Sequence, residues 1–248
     1  MRYTLFLAIL WTLLSFGSFA QGQEENKAKA RLSELSRHFE GAERLYAKMR
    51  VMGLRESDSL PYYDHTAEVR FSGNNFWNRF NGSETMVCDG LIFQARTDMK
   101  QLLCRVRTPL EARKARQGAQ LLQNMDKILK QYKTLRHTED KKDNVEIFVF
   151  GEGQGHIKEM ELHIGKKDHK PKEMVYRYDP KRFGNGNKVR IVFEVFDSQS
   201  PVDSNYFRPE RYLSSDKGKI KPKGEFGELR FHCPDKNAMA KLKNVLGR

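Results

Sequence analysis

The spacing of hydrophobic and polar positions changes period several times along the chain, and each change predicts an element. Ala28, Leu32, Leu35, Phe39, Ala42, Leu45, Tyr46 and Met49 recur at intervals of three and four with charges between them, which predicts an amphipathic helix over residues 24–50. Gly53 is expected to close it or to open a linker running through Leu60-Pro61. Beyond the linker Ala67, Val69 and Phe71 alternate with Glu68, Arg70 and Ser72, the period of a half-buried strand. Gly73-Asn74-Asn75 marks a turn, Phe76–Phe80 alternates again, and Asn81-Gly82 marks the next turn. Met86–Asp89, Leu91–Arg96 and Lys100–Arg107 then read as a meander turning at Asp89-Gly90 and Thr97-Asp98.

A second helix is predicted at Leu110–Arg136, opened by a cap-like Thr108 with Pro109 at the first helical position. Leu121, Leu122, Met125, Ile128, Leu129 and Tyr132 give it an apolar stripe, while its first half is polar all round and broken by Gly118. After a charged turn at Asp140–Asp143, strands follow at Val145–Phe150, Glu159–Ile164, Glu173–Tyr178 and Lys188–Phe196. A hairpin near Lys219–Pro222 and Glu228–Cys233 and a basic helix at Asn237–Leu246 end the chain. The predicted class is α+β: a curled antiparallel sheet, an incomplete β-barrel of nine or more strands, covered by an N-terminal helix and an inserted lid helix.

Alternation assigns an inward set to this sheet: Val69, Phe71, Phe76, Phe80, Leu91, Phe93, Leu102, Val106, Ile147, Met160, Leu162, Met174, Tyr176, Ile191 and Phe193. One face is thereby expected to be greasy and the other charged, with the amphipathic helices as its cover.

The first twenty residues read differently. Arg2, the apolar stretch Leu5 to Phe16, and small residues at Ser18 and Ala20 describe a secretory signal peptide with a cleavage site after Ala20. The apolar run is shorter than the ~20 residues a spanning helix needs. A soluble, exported chain is expected. The full sequence has 248 residues, with 45 Lys+Arg against 32 Asp+Glu for a formal charge of +13. Losing Arg2 leaves +12, of which Leu110–Arg136 and Asp216–Arg248 carry +5 each. That concentration suggests guidance toward anionic headgroups or an acidic protein, although a solvated helix face and a solubilising tail would look the same. Export and the absence of a recognised motif argue against nucleic acid.

Three cysteines make an odd count for an exported chain. In the predicted meander Cys88 and Cys104 flank a common middle strand, roughly 9–10 Å apart at ~4.8 Å per strand step, beyond the ~7 Å that a disulfide tolerates. Cys233 could reach either one, and free half-buried thiols are the expected state. Glu159, Glu161 and His163 share one strand face near His156 and His169, but an exposed polar face explains them without a metal. Asn81-Gly82-Ser83 is read as a turn rather than a glycosylation acceptor, and Gly151–Gly155 as a flexible hairpin, since no helix follows to cradle a phosphate. No nucleophile–base or metallohydrolase motif is apparent, so no catalytic residue, metal or cofactor is assigned.

The order of these features resembles the periplasmic outer-membrane lipoprotein carriers, the LolA/LolB-like family, over roughly residues 25–213. Signal peptide, amphipathic helix and strands lead to Val87-Cys88-Asp89-Gly90, which is similar to the family's V-S-D-G hairpin. A helical insertion follows, then paired strands around Lys172–Asp179 and Lys188–Asp197. The run Phe196-Asp197 to Val202-Asp203-Ser204-Asn205-Tyr206-Phe207-Arg208-Pro209 resembles the family's acidic-small-x-x-Phe-x-x-Pro ending. The long basic insertion and some 35 further residues depart from the pattern, and the family's lipid-facing Arg matches no position here.

The resemblance implies an apolar cavity that shelters acyl chains, with no cofactor. Residues 21–213 are expected to form the lipid-binding domain and 214–248 a basic extension. The expected lipid-binding residues are Phe71, Phe76, Phe80, Leu91, Phe93, Leu102, Met160, Leu162, Met174, Tyr176, Phe193, Leu122, Met125 and Leu129. The expected partners are lipid or lipoprotein acyl chains, membrane-associated donor and acceptor proteins and an anionic membrane surface, for a monomer outside any nucleic-acid pathway. The competing expectation is a basic scaffold whose sheet core is filled by its own helices and whose basic lid and tail dock an acidic protein or an anionic membrane surface.

Overall fold

A computed structural model describes residues 22–38, 42–55, 58–108, 111, 129–183, 187–216 and 218–247. The expected signal peptide, together with Leu122 and Met125, lies outside the described residues. The strands are β1 (Arg44–Leu54), β2 (Tyr63–Ser72), β3 (Asn75–Phe80), β4 (Ser83–Cys88), β5 (Leu91–Arg96), β6 (Gln101–Val106) and β7 (Thr134–Asp140). They continue with β8 (Val145–Gly151), β9 (Ile157–Gly165), β10 (Pro171–Tyr178), β11 (Lys188–Asp197), β12 (Leu213–Asp216), β13 (Lys219–Pro222) and β14 (Arg230–His232). The helices whose bounds fall among the described residues are α1 over residues 22–37, α2 at Pro180–Phe183 and α3 at Lys236–Leu246.

The fold is α+β. Twelve strands belong to one open, mostly antiparallel sheet, whose terminal strands β7 and β14 have one neighbour each. The chain divides into two compact units. The first contains Met1–Glu40, Leu54–Leu60 and Gln123–Arg190, and its strands lie in the order β10-β9-β8-β7. The second contains Gly41–Gly53, Pro61–Leu122 and Ile191–Arg248. Its order is β14-β6-β5-β4-β3-β2-β1, with most of β11 beside β1, and β12-β13 form a separate two-stranded ribbon.

The turns follow from residue chemistry. Asn81-Gly82 (φ 46° and 71°) and Asp89-Gly90 (φ 45° and 75°) take left-handed backbone at both central positions, as two-residue turns matching strand twist require. They fix the meander from β3 to β5 where alternation predicts it. Thr108 and Glu111 form a reciprocal capping box: the Glu111 amide donates to Thr108 Oγ1 at 3.2 Å and the Thr108 amide to Glu111 Oε2 at 3.0 Å. The pair stands where the inserted helix is predicted to start, and residues 112–128 of that predicted helix lie outside the described residues.

Four expectations are corrected. The helix predicted over 24–50 ends at residue 37, and Arg44–Leu54 is β1. Residues 42–49 satisfy a helical period, but Leu45, Ala47, Met49 and Val51 also alternate, and a ten-residue antiparallel register with β2 decides between the two. Gly53 ends no helix: the Tyr62 ring lies against its backbone, where a Cβ would sit 2.7 Å from the ring. The helix predicted over Leu110–Arg136 does not extend to Arg136, because Thr134–Arg136 begin β7 and pair with β8. The C-terminal hairpin does not form either. β13 pairs with β12, and β14 pairs in parallel with β6, because the intervening Phe226 and Leu229 bury themselves in the core of the second unit.

Candidate functional site

In the second unit the register separates the apolar residues onto two faces. Trp77, Met86, Phe93 and Cys104 lie opposite one another across β3 to β6, so their side chains share a face. Glu84, Ala95 and Leu102 follow on the same side, as do Cys88, Leu91 and Val106. The chain's own C-terminal part fills this face. Phe207, Tyr212, Leu213, Phe226 and Leu229 join it, with Ala238 and Leu242 from α3. Leu91, Phe93 and Leu102, three of the expected lipid-binding residues, are fully buried in that cluster.

Phe71, Phe76 and Phe80 stand on the opposite face, with Ala47, Val69, Val87 and Ile92. An ion pair between Lys48 and Glu194 at 2.9 Å places Glu194 on the filled side of the sheet, so its neighbour Phe193 points to the side of Phe71. Phe71, Val87 and Ile92 are buried, while Leu45, Met49, Val69, Phe76, Phe80 and Phe193 are half-buried. The expectation of one greasy face is therefore replaced by two apolar faces in this unit, one sealed and one partly open. Each two-residue turn reverses parity, so Phe76 shares a side with Val87 after the first turn and with Ile92 after the second, which leaves Leu91 on the other side.

The sealed face closes around Glu84, which sequence reasoning missed. Its carboxylate accepts from Trp77 Nε1 at 2.6 Å, Tyr212 OH at 2.6 Å and Arg211 Nε at 2.9 Å, and through its other oxygen from Arg79 Nε at 2.9 Å. Burial pushes this carboxyl up, but the Arg211, Tyr212 and Trp77 hydrogen bonds outweigh it and hold it below the ordinary carboxylate range. The signal available in sequence was Trp77, whose indole N–H needs an acceptor once buried.

In the first unit, Leu135, Phe150, Met160 and Tyr176 form one row across β7 to β10, and His137, Phe148, Leu162 and Met174 form the next. Glu139, Glu146 and Ile164 form a third row, from which Arg31 of α1 takes Glu146 through Nε at 2.9 Å and Nη2 at 2.6 Å. The ion pair sets α1 over this face, and Ala28, Leu32 and Leu35 along its apolar stripe are buried. Met160, Leu162 and Met174 are buried here, and Tyr176 is half-buried, with burial pushing its phenol up to about 12. Ile147 belongs to the opposite face, paired with His163.

Leu129 lines a cleft of about 350 Å³ with Tyr132 and Leu135, rimmed by Lys29, Lys130, Lys133 and Glu25. A neighbouring cleft of about 400 Å³ exposes the Arg31–Glu146 pair beside Lys27, His137, Glu139 and Lys166. Glu159 and Glu161, with His163 on the same face, are taken by Arg177 at 2.9 and 2.8 Å. Among the described residues no group of three or more His, Cys, Asp or Glu could hold a metal ion, and no helix is long and apolar enough to cross a membrane.

Neither a protein-family model nor a curated protein matches the sequence. Solved structures superimpose at low identity. An uncharacterized conserved protein from Thermus thermophilus aligns at 14 % identity over 84 % of this chain and 98 % of that chain, with a TM-score of 0.42. LprF from Mycobacterium bovis aligns at 12 % identity over 71 % of this chain and 96 % of that chain, also with a TM-score of 0.42. A LolA superfamily protein from Nitrosomonas europaea aligns at 9 % identity over 74 % of this chain and 98 % of that chain, with a TM-score of 0.31.

Proposed function

We propose that the chain is a periplasmic, non-enzymatic carrier or binding protein that shelters a lipid or lipoprotein acyl moiety, with a place in outer-membrane lipoprotein sorting. In the second unit the binding surface is the sheet face of Phe71, Phe76, Phe80 and Phe193. One observation carries the reading: the unit fills one sheet face with its own C-terminal part and leaves the other lined by half-buried aromatic and aliphatic side chains. An acyl chain loses about 0.8 kcal/mol for each CH₂ exposed to water, so a face of this kind can hold one by burial alone. Exchange between such a face and donor or acceptor proteins needs no cofactor.

In the first unit, the cleft with Leu129, Tyr132 and Leu135 below and three lysines at its rim suits contact with anionic headgroups. The leader supports export with cleavage after Ala20, and the working state is a monomer. The second reading, a basic scaffold docking an acidic partner, is favoured by the sealed face, because a sheet filled by its own chain needs no ligand on that side.

Protein purified from periplasm without detergent is expected to release a co-purifying lipid in native mass spectrometry and to bind a fluorescent fatty acid. Phe76→Glu should weaken probe binding at least about tenfold, since a charge on an apolar site costs well over 1.4 kcal/mol. Arg136→Glu, at a side chain 70 % exposed, should leave it unchanged. No lipid and no probe binding, or equal effects of the two substitutions, would sink the carrier reading in favour of the scaffold.

A further inference from the structure

Sequence spacing leaves open which cysteine Cys233 could reach, and the register in the second unit decides it. β14 lies parallel to β6 with Arg230 opposite Gln101, Phe231 opposite Leu102 and His232 opposite Leu103. Continuing that register by one residue puts Cys233 opposite Cys104. Adjacent strands stand about 4.8 Å apart, inside the range of about 4.4–6.8 Å between Cα atoms that a disulfide spans. Cys104 belongs to the buried cluster and Cys233 packs against that same cluster, its thiol donating to the Asp235 carbonyl at 3.7 Å. Cys88 is no competitor, because β5 runs between β4 and β6 and keeps it a strand away from Cys104.

We propose that Cys104 and Cys233 are the site of a structural disulfide in the exported protein, stapling the C-terminal part to β6. Cys88, Cys104 and Cys233 are free cysteines in this structure. The oxidant is a disulfide of the exporting compartment, carried by a protein or a small thiol. Cys233, half-buried and the first residue beyond β14, loses its proton and attacks one sulfur of the oxidant, whose other sulfur leaves as a thiol. Cys104, fully buried, then loses its proton and attacks Cys233 Sγ from within, expelling the second thiol. Two thiols of the chain become one disulfide, and the oxidant disulfide becomes two thiols that take up the two protons.

Burial raises the thiol pKa of both cysteines, so closure is slow and favours a lasting bond over a labile one. The closed loop, about 130 residues long, restricts the unfolded chain strongly. It also holds α3 on the face that this helix helps to seal. The inference rests on export, but not on the apolar face opposite.

The test is peptide mapping of the exported full-length protein after alkylation without reductant. The expected result is an intact mass about 2 Da below that of the reduced chain, one Cys104–Cys233 linked peptide pair, and Cys88 alkylated only after unfolding. Three free thiols, or a pair involving Cys88, would overturn the proposal. Cys104→Ser puts a hydroxyl into the core, so Cys233→Ser is the decisive variant. Its Tm should fall by about 5–15 °C without reductant and match the wild type in dithiothreitol. A fall of the same size under both conditions would mean lost packing, and the proposal would fail. Failure of lipid binding with an intact Cys104–Cys233 bond would count against the carrier reading alone.

Discussion

Among the described residues, each unit buries one glutamate on a face of its sheet and answers it with an arginine from far along the chain. In the second unit Glu84 takes Arg211, and in the first Glu146 takes Arg31. Both carboxylates are 3 % exposed. Their surroundings differ. Glu84 is enclosed by Trp77, Tyr212 and two arginines in a filled core, whereas Glu146 borders an open cleft with lysines and His137 at hand. The same residue type thus makes an interior tie in one unit and a half-wet latch in the other. The second unit holds its C-terminal part on a closed face, and the first holds α1 beside a cleft that stays accessible.

The largest effect is expected where the network is sealed. Glu84→Ala should cost about 3–5 kcal/mol in denaturant unfolding, because it leaves an arginine, a phenol and an indole N–H without their shared acceptor. Arg31→Ala in the first unit should cost less, about 2–3 kcal/mol. Arg31 is 29 % exposed, and Glu146 keeps His137 at 3.1 Å and water through the cleft. Equal losses would mean that the open cleft gives Glu146 no relief, and the contrast between the two units would collapse.

Acid provides a gentler probe of the same contrast. Both carboxyls are held below their ordinary value of 4.5, Glu84 by its hydrogen bonds against the cost of burial and Glu146 chiefly by Arg31. A depressed folded pKa contributes stability that is present above the unfolded value and is lost as pH falls through the folded one. Melting temperature should therefore be flat from pH 7 to about 5 and drop below about 4.5. Glu84→Gln and Glu146→Gln should each flatten part of that drop. A wild-type curve unchanged down to pH 3 would contradict both assignments.

These ties also show what could be read from sequence. The meander from β3 to β6 was legible because alternation and the Asn-Gly and Asp-Gly turns point to the same structure. β1 was not, since Leu45, Tyr46 and Met49 fit a helical period as well as a strand, and only the distant partner β2 decides. Face assignment failed for a related reason. Phe71, Phe76 and Phe80 look like Leu91, Phe93 and Leu102 in composition, and only the registers between them show that they point to opposite sides. The C-terminal part was least legible, because β14 takes a parallel partner far upstream and leaves no local pairing signal. Glu84 and Glu146 pass in sequence for ordinary polar positions on alternating strands, their burial being set by Arg211 and Arg31 from far along the chain.

The smallest expected effect marks where the sealed network ends. Glu225 lies 3.0 Å from Arg79 and 3.2 Å from Arg211, the same two arginines that hold Glu84, yet its side chain is 56 % exposed. Water already solvates that carboxylate, so its pairing gains little Coulomb energy and is screened by salt. Glu225→Ala should cost under about 1 kcal/mol, and less still at 0.5 M salt, whereas the loss at Glu84 should scarcely respond to salt. Should Glu225→Ala rival Glu84→Ala, the arginines would owe their placement to the rim rather than to the buried carboxylate. The C-terminal part would then be held from its exposed edge, and the distinction between a sealed tie and an open latch would not hold.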